Sequence, residues 1–288
     1  MLSIPFTALT CPLDGEPLNQ QESSWRCANG HSFDVARQGY IHLLPVQKKK
    51  SRDPGDSKEM VAARQRFLQK GFYRPISEGI SEAVRTGIES ANPFRCLDAG
   101  CGEGYYLRQL AQTLPDDRDC ELIGNDISKW AVLKAAQQDR RAVRWVVASN
   151  ANLPVESDTL DCVLSLFGFP VYSEFYRVLK EGGLLVQVDA GPDHLRELRE
   201  IIYPELKPPA DKRAVPAGFE SLDEIRVTYQ MTLDNREDIQ DLLAMTPHLY
   251  RASAEGKARA EALDSLTVTV DAVIQAFRKK EQEMQTEG

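Results

Sequence analysis

The chain has 288 residues, 42% hydrophobic and 27% charged, with a net charge of −8, which suits a soluble globular protein with one large domain and a smaller one. No apolar run reaches the roughly 20 residues of a membrane helix, Met1-Leu2-Ser3-Ile4-Pro5 lacks the pattern of a signal peptide, and six cysteines spread from Cys11 to Cys162 form no disulfide framework, so a cytoplasmic protein is expected. Residues 1–75 carry 11 Lys and Arg against 7 Asp and Glu while the remainder carries 24 against 36, so the acidic total does not exclude a nucleic-acid partner, although a solvated basic face is the plainer reading.

Taken in chain order, residues 9–34 read as a small module punctuated by Pro12, Asp14-Gly15, Pro17 and Asn29-Gly30. Residues 39–46 read as extended, and Lys48 to Asp56 is too polar and turn-rich to pack. Helices are expected over 57–70 and 75–90, the second with Ile76, Ile80, Val84 and Ile88 at four-residue spacing. From Phe94 strands alternate with helices: strands over 94–99, 121–126, 142–147, 159–166 and 184–189, helices over 104–114, 128–138 and 171–179. Gly182-Gly183 turns the chain into the fifth strand. This pattern predicts parallel crossovers, hence an α/β Rossmann-like fold with a mainly parallel sheet and helices on both faces. Strand-like runs near 223–232 and 264–270 flank a helix near 235–244 and suit a final hairpin at the sheet edge. The division expected is 1–46, a small N-terminal module; 47–92, a linker and helical lead-in; and 93–288, the large α/β domain. No internal repeat is present.

The chemistry concentrates at Leu97-Asp98-Ala99-Gly100-Cys101-Gly102-Glu103-Gly104. A strand ends at Asp98, Gly100 and Gly102 let the backbone lie against a ligand, and a helix then opens with its amides aimed there. This is the crevice where open α/β sheets bind ligands. A dinucleotide site calls for G-x-G-x-x-G; here the run is D-x-G-x-G-x-G, closing on Gly104. Asp98 would repel a pyrophosphate but suits the cationic amino group of a methionine. Asp126 closes the next strand, placed for ribose hydroxyls. Ala148-Ser149-Asn150-Ala151-Asn152-Leu153-Pro154 follows the third strand, where an adenine edge is read. With Leu179-Lys180-Glu181-Gly182-Gly183, these residues resemble the class I S-adenosylmethionine-dependent methyltransferases over about residues 94–190.

Cys11-Pro12-Leu13-Asp14 and Cys27-Ala28-Asn29-Gly30-His31 form C-x2-D and C-x3-H pairs separated by residues 15–26. Two such knuckles supply the four ligands of a structural zinc, as in a zinc ribbon. A module this small either draws folding energy from the metal or keeps its fold with an empty site. Asp14 stands where a third cysteine is expected, and a carboxylate binds zinc less tightly than a thiolate. Cys96, Cys101, Cys120 and Cys162 fall in or beside strands and read as small core residues.

The whole chain resembles the bacterial 23S ribosomal RNA (guanine-N1)-methyltransferases. The residues that carry this are Cys11-Pro12-Leu13, Cys27 with His31-Ser32-Phe33-Asp34, and Gly39-Tyr40 with Leu43-Leu44-Pro45-Val46-Gln47. The run from Ser51-Arg52-Asp53-Pro54-Gly55-Asp56-Ser57 through Glu59-Met60, Phe67-Leu68, Gly71 and Tyr73 is the most specific. Gly100 to Tyr106, Gly191-Pro192, His194-Leu195 and Met245-Thr246-Pro247 complete it. The resemblance implies methyl transfer from S-adenosylmethionine to N1 of a hairpin-loop guanine in 23S rRNA, and a homodimer. It implies cofactor contacts at Tyr73, Gly102, Glu103 and His194, and zinc ligands at Cys11, Asp14, Cys27 and His31. On residue type alone Tyr73 could be a helix-end packing residue and His194 part of a surface helix turn. Leu164 to Pro170 is more apolar than the family's usual run.

Guanine N1 carries a proton at neutral pH, so a base or a route to water is needed; Asp189, at the end of the fifth strand, is a candidate or else a capping residue. N1 is reachable only where the base is unpaired. The ribbon, Lys48, Lys49, Lys50 and Arg52 would grip phosphates, and Phe167, Phe169 or Tyr172 would stack on the base. A class I methyltransferase acting on a small molecule is the alternative enzyme, and an RNA-binding protein with a relic methyltransferase fold is the alternative of another class.

Overall fold

Three short strands, β1 (Asn19–Gln21), β2 (Ser24–Arg26) and β3 (Ser32–Asp34), pair antiparallel in the N-terminal ribbon. After β4 (Ile41–His42), helix α1 (Lys58–Gln69) starts on Ser57, whose hydroxyl accepts the Met60 amide at 3.3 Å. Helix α2 (Arg74–Gly87) carries Pro75 in its first turn, where the missing N–H costs nothing. The large domain then runs β5 (Phe94–Ala99), α3 (Tyr105–Thr113), β6 (Cys120–Asp126), α4 (Lys129–Gln138), β7 (Val143–Val147), β8 (Leu160–Leu166), α5 (Tyr172–Val178) and β9 (Leu179–Ala190). It closes with α6 (Arg196–Ile202), β10 (Phe219–Leu233), α7 (Arg236–Met245), α8 (Ala254–Glu261) and β11 (Leu266–Lys279). The computed structural model describes residues 5–48, 51, 53–88, 91–115, 119–139, 141–206, 214–246, 248 and 252–281. Among them no helix is long and apolar enough to cross a membrane.

The large sheet has the order β10-β11-β9-β8-β5-β6-β7-β4. It is parallel from β9 to β4, and β11 runs antiparallel between β9 and β10. This is the Rossmann-like, mainly parallel sheet with an edge hairpin that the alternation predicts. The hairpin strands are longer than their sequence signal, because Asp271 and Gln275 interrupt the apolar run of β11 and the outer face of β10 is polar. Gly182-Gly183 lies inside β9, where the register with β8 slips between Leu160 and Cys162 and the extra residues loop out as a bulge. Helices α6 and α8 are short, charged segments without a strong apolar period, and so carry little helix signal in the sequence.

One face of the sheet, with Cys96, Leu122, Trp145 and Leu164, is covered by helices including α1 to α4 and α7. The other face, with Leu97, Ile123, Val146 and Val163, packs on α5 and on the ribbon through Phe6, Leu9, Trp25, Ile41 and Leu43. The ribbon therefore occupies the place of a helical layer over part of the second face. It is joined by backbone as well: Ile41 and His42 pair with Val146 and Val147, and Leu43 N donates to Val147 O at 2.8 Å.

On the helical face the Trp145 indole, anchored by Nε1 donating to Asp139 O at 2.7 Å, lies against two glycines. A Cβ on Gly104 would sit 2.3 Å from Trp145 Cη2, and one on Gly124 would sit 2.3 Å from Cζ3. The ring thus fixes how closely α3 approaches β6. Gly124→Ala is expected to destabilise the fold by about 1–3 kcal/mol through overpacking, and Trp145→Leu in the same chain should recover part of that loss. Urea denaturation of the single and double variants measures both; additive losses would overturn the assignment.

Candidate functional site

The glycine turn is held by the last two residues of β6. Gly100 N and Cys101 N both donate to Asn125 O, at 2.8 and 3.0 Å, and Gly102 N donates to Asp126 Oδ2 at 2.9 Å. Gly100, Gly102 and Gly104 have φ of +98°, +56° and +81°, conformations that side chains rarely adopt. The turn delivers the chain into α3 at Tyr105.

Asp98, the last residue but one of β5, is 1% exposed, and neither carboxylate oxygen has a hydrogen-bond partner among the described residues. Burial, followed by the negative charge of Asp126, pushes its pKa up to about 8. A buried carboxylate without donors is costly, and a ligand bringing a positive N–H group relieves it. Asp126 is better served, accepting Gly102 N on Oδ2 and Ser128 N at 2.8 Å on Oδ1. Burial still raises its pKa, and each oxygen keeps a second lone pair for a hydroxyl.

The remaining predicted residues divide by direction. The Glu103 carboxylate accepts from Arg108 Nη2 at 2.9 Å and from Gln138 Nε2, so it braces α3 against α4 and leaves its backbone to the turn. Asn150 also points inward: its Oδ1 accepts from Asn125 Nδ2 at 2.7 Å and its Nδ2 donates to Ala99 O at 3.2 Å. Ser149 closes its own loop, accepting Asn152 N on its carbonyl at 3.0 Å and Ala151 N on its hydroxyl at 3.2 Å.

Tyr73 and His194, distant in sequence, meet with Tyr73 Oη 3.2 Å from His194 Nε2. Phe167 joins them, its ring centroid 6.3 Å from Tyr73 and 5.8 Å from His194. Phe167 is a non-glycine residue at φ +53°, fixed by its amide donating to Val188 O at 2.8 Å. His194 Nδ1 accepts the Asp271 amide at 3.2 Å, so the ring proton resides on Nε2 and Tyr73 Oη receives it. Asp271, fully buried, is gripped by Arg226 Nε and Nη2 at 2.9 Å each and accepts Asp193 N at 3.1 Å. A Cβ at Gly191 would strike this carboxylate at 2.2 Å, which explains the glycine.

The segment from Ser51 to Ser57 reaches the glycine turn through Asp56 and Arg64. Asp56 pairs with Arg64, its carbonyl accepts Ser128 Oγ at 2.7 Å, and Arg64 Nη2 donates to Met245 O at 3.0 Å. Arg64 Nη1 lies 3.7 Å from where a Gly102 Cβ would be. Lys49, Lys50, Arg52 and Pro247 lie outside the described residues, and Lys48 is described in its backbone only. Asp189 is held by Gln187 Nε2 at 2.6 Å, and Gln187 Oε1 accepts from Tyr172 Oη at 2.8 Å. Phe169 stands 88% exposed on the loop after β8.

In the ribbon, donor atoms of Cys11, Asp14, Cys27 and His31 all lie within 4.8 Å of one another. His31 Nδ1 is 3.5 Å from Cys11 Sγ, 3.4 Å from Cys27 Sγ and 2.9 Å from Asp14 Oδ2, and Cys27 Sγ is 3.4 Å from that same oxygen. A tetrahedron with zinc bonds of about 2.3 Å to sulfur and about 2.0 Å to nitrogen or oxygen has mixed edges of about 3.5 Å. The donor set fits that metal. Each knuckle is closed by its own turn, Gly15 N donating to Cys11 O at 2.8 Å and Gly30 N to Cys27 O at 3.1 Å.

Asn125, Arg64 and Asp271 were not singled out from sequence. Asp271 had a visible signal, a lone acid within the apolar run Val268 to Phe277. Asn125 and Arg64 had none, since their roles depend on contacts with distant segments.

Comparison with known proteins gives two matching family models. A zinc-ribbon model described as RlmA, N-terminal, matches residues 9–52, and a methyltransferase-domain model matches residues 96–183. The chain is 31% identical over 277 residues to YxjB of Bacillus subtilis, which carries the provisional name of a 23S rRNA (guanine-N1)-methyltransferase; the match covers 93% of this chain and 96% of that protein. It is also 31% identical to the 23S rRNA (guanine(748)-N(1))-methyltransferase of Streptomyces fradiae, covering 87% of this chain and 89% of the relative. A malonyl-[acyl-carrier protein] O-methyltransferase of Laribacter hongkongensis is 34% identical, but over only 41% of this chain and 44% of that protein.

Burial lowers the His194 pKa to about 4, so the ring is neutral at physiological pH with its proton on Nε2. Nitrogen-15 NMR of the imidazole should show that single tautomer down to about pH 4. A ring that becomes charged near its ordinary value, about 6.5, would contradict this geometry.

Proposed function

Because the chain belongs to the family of 23S rRNA (guanine-N1)-methyltransferases, we propose that it transfers the methyl group of S-adenosylmethionine to N1 of a hairpin-loop guanine in 23S rRNA. The observation that carries the reading is the continuity of the match: ribbon, family-specific segment and α/β domain are shared together, over 93% of the chain. The match to the acyl-carrier-protein enzyme covers 41% of the chain, the share expected of the generic crevice alone. In this reading residues 1–46 and the linker meet RNA, residues 93–288 hold the cofactor, and the protein works in the cytoplasm as a homodimer.

Bound S-adenosylmethionine supplies a methyl group activated on a sulfonium. The protein's own task is to hold, orient and exclude water. Asp98 takes the cationic amino group of the methionine, for which its two unpartnered oxygens are suited. Asp126 takes ribose hydroxyls, and the backbone of Gly100, Gly102, Glu103 and Gly104 lies along the ligand. The loop at Ser149 and Asn150 borders the adenine. Tyr73, Phe167 and neutral His194 form an aromatic wall at the methyl-donating end, and Phe169 offers an exposed ring on which an unpaired base can stack. Zinc is structural: Cys11, Asp14, Cys27 and His31 hold it away from the reacting atoms.

Incubation with labelled S-adenosylmethionine and 23S rRNA, free or in assembled subunits, should place label on one loop guanine and create a stop to primer extension there. Label absent from RNA sinks the reading. The cofactor's affinity should also depend on pH. Below about pH 8 free Asp98 holds a proton, which must leave before a cationic amino group pairs with the carboxylate. Affinity is therefore expected to weaken by at most about tenfold per unit of falling pH below that value, and to weaken again at higher pH as the ligand's α-amino group, whose pKa is ordinarily about 8, loses its charge. Calorimetry on Asp98→Asn should show weaker binding with the loss at falling pH removed; an unchanged profile assigns it to another group.

A further inference from the structure

The first metal knuckle touches the crevice. Thr10 N donates to Pro154 O at 3.1 Å, Leu9 bridges to Val155, and Asn152 Nδ2 donates to Pro12 O at 3.4 Å. Pro12 lies between two donors of the metal centre, Cys11 and Asp14, and Asn152 and Pro154 belong to the loop after β7. Asn150, on the same loop, is tied to Asn125 and to Ala99 O, and Asn125 O receives the amides of Gly100 and Cys101. Hydrogen bonds linked by the short covalent segment 150–154 and by the Asn125 residue itself thus lead from the zinc knuckle to the glycine turn. Apolar packing runs beside it, since Leu9 and Cys11 share a core with Val146, Ala148, Leu153 and Val155.

We propose that the metal knuckle buttresses the cofactor crevice, so that zinc occupancy and affinity for S-adenosylmethionine are coupled through Pro12, Asn152 and Asn150. This rests on the reading that the crevice binds that cofactor. The physical basis is a two-state element. With its four donors joined, the knuckle holds the Pro12 and Thr10 main chain where the loop needs it; with the metal removed, those donors repel or rotate and the support is lost. The ribbon is then more than an RNA-facing appendage. Its metal sets the shape of the wall that borders the nucleoside. Asp14 gives the arrangement its sensitivity, because a carboxylate in place of a thiolate makes the metal easier to remove.

Linkage makes the claim reciprocal: whatever factor zinc adds to cofactor affinity, the cofactor must add to zinc affinity. The test uses the full chain. S-adenosylmethionine binding is measured by calorimetry on zinc-loaded and chelator-treated protein, and zinc affinity by competition with a chromophoric chelator, with and without the cofactor. Both couplings are expected near tenfold, within the range ordinary for linked sites. Asp14→Cys should hold its metal against the chelator and keep full cofactor affinity under treatment that weakens the wild type. Asn152→Ala, zinc-loaded, should lose about fivefold in cofactor affinity, the effect of one hydrogen bond, without losing metal; this variant decides the matter if metal-free protein unfolds. Equal cofactor affinity with and without zinc, or in Asn152→Ala and wild type, overturns the coupling while leaving the crevice reading intact. Failure of zinc-loaded protein to bind S-adenosylmethionine at all overturns both.

Discussion

The end of β6 governs the rest of the site. One carbonyl, Asn125 O, receives two successive amides of the glycine turn, and one carboxylate, Asp126, receives the third. Without them a run of glycines at positive φ would be a loose loop, since glycine gives up more backbone freedom on folding than any other residue. Held this way, the turn aims the start of α3 at the crevice and leaves Asp98 facing inward. The same two residues reach outward, Asn125 to Asn150 and Asp126 to Ser128 at the start of α4. Ser128 in turn holds Asp56, and Asp56 holds Arg64. Segments more than 70 positions apart are thus gathered around one strand end.

That arrangement concentrates negative charge. Asp98 sits buried and Asp126 half-buried beside it; burial raises both, and the charge of Asp126 raises Asp98 further. Arg64 stands over the turn and offsets part of this at Asp126, but no cation among the described residues does so for Asp98. The site is therefore built to be completed by a cation, and a phosphate-bearing ligand is disfavoured there. This is the physical content of an acid, in place of a neutral residue, before the first glycine.

The elements that were legible share a property: their evidence is contiguous. Asp98 to Gly104 announces itself in seven residues, because strand, turn and helix start must all be encoded locally. The two metal knuckles are readable for the same reason, each placing two donors within one turn. Strand and helix periods in residues 94–190 carried the parallel sheet. What escaped was long-range. The pairing of Tyr73 with His194 spans 121 positions and is visible only through family resemblance. The support of His194 by Asp271 and Arg226 depends on the edge hairpin folding back beside β9. The direction of Glu103, away from the crevice and into α4, depends on Arg108 and Gln138, which nothing in the motif specifies.

The ribbon is the case where local reading and long-range packing diverge most. Between residues 5 and 46 it carries Arg26 and Arg37 against Asp14, Glu16, Glu22 and Asp34, so its own charge does not favour phosphates. The cations that do are clustered just beyond, at Lys48 to Arg52. The ribbon's apolar residues, by contrast, are spent on the sheet: Phe6, Leu9, Trp25 and Leu43 are buried against it, and β4 extends it. A module whose net charge is acidic and whose core is shared is packed as a layer of the large sheet and not as a free appendage. In the segment Ser51 to Ser57, Asp56 is fixed to the start of α4 through Ser128, and in the sequence Lys48 to Lys50 precede that fixed point by only a few residues.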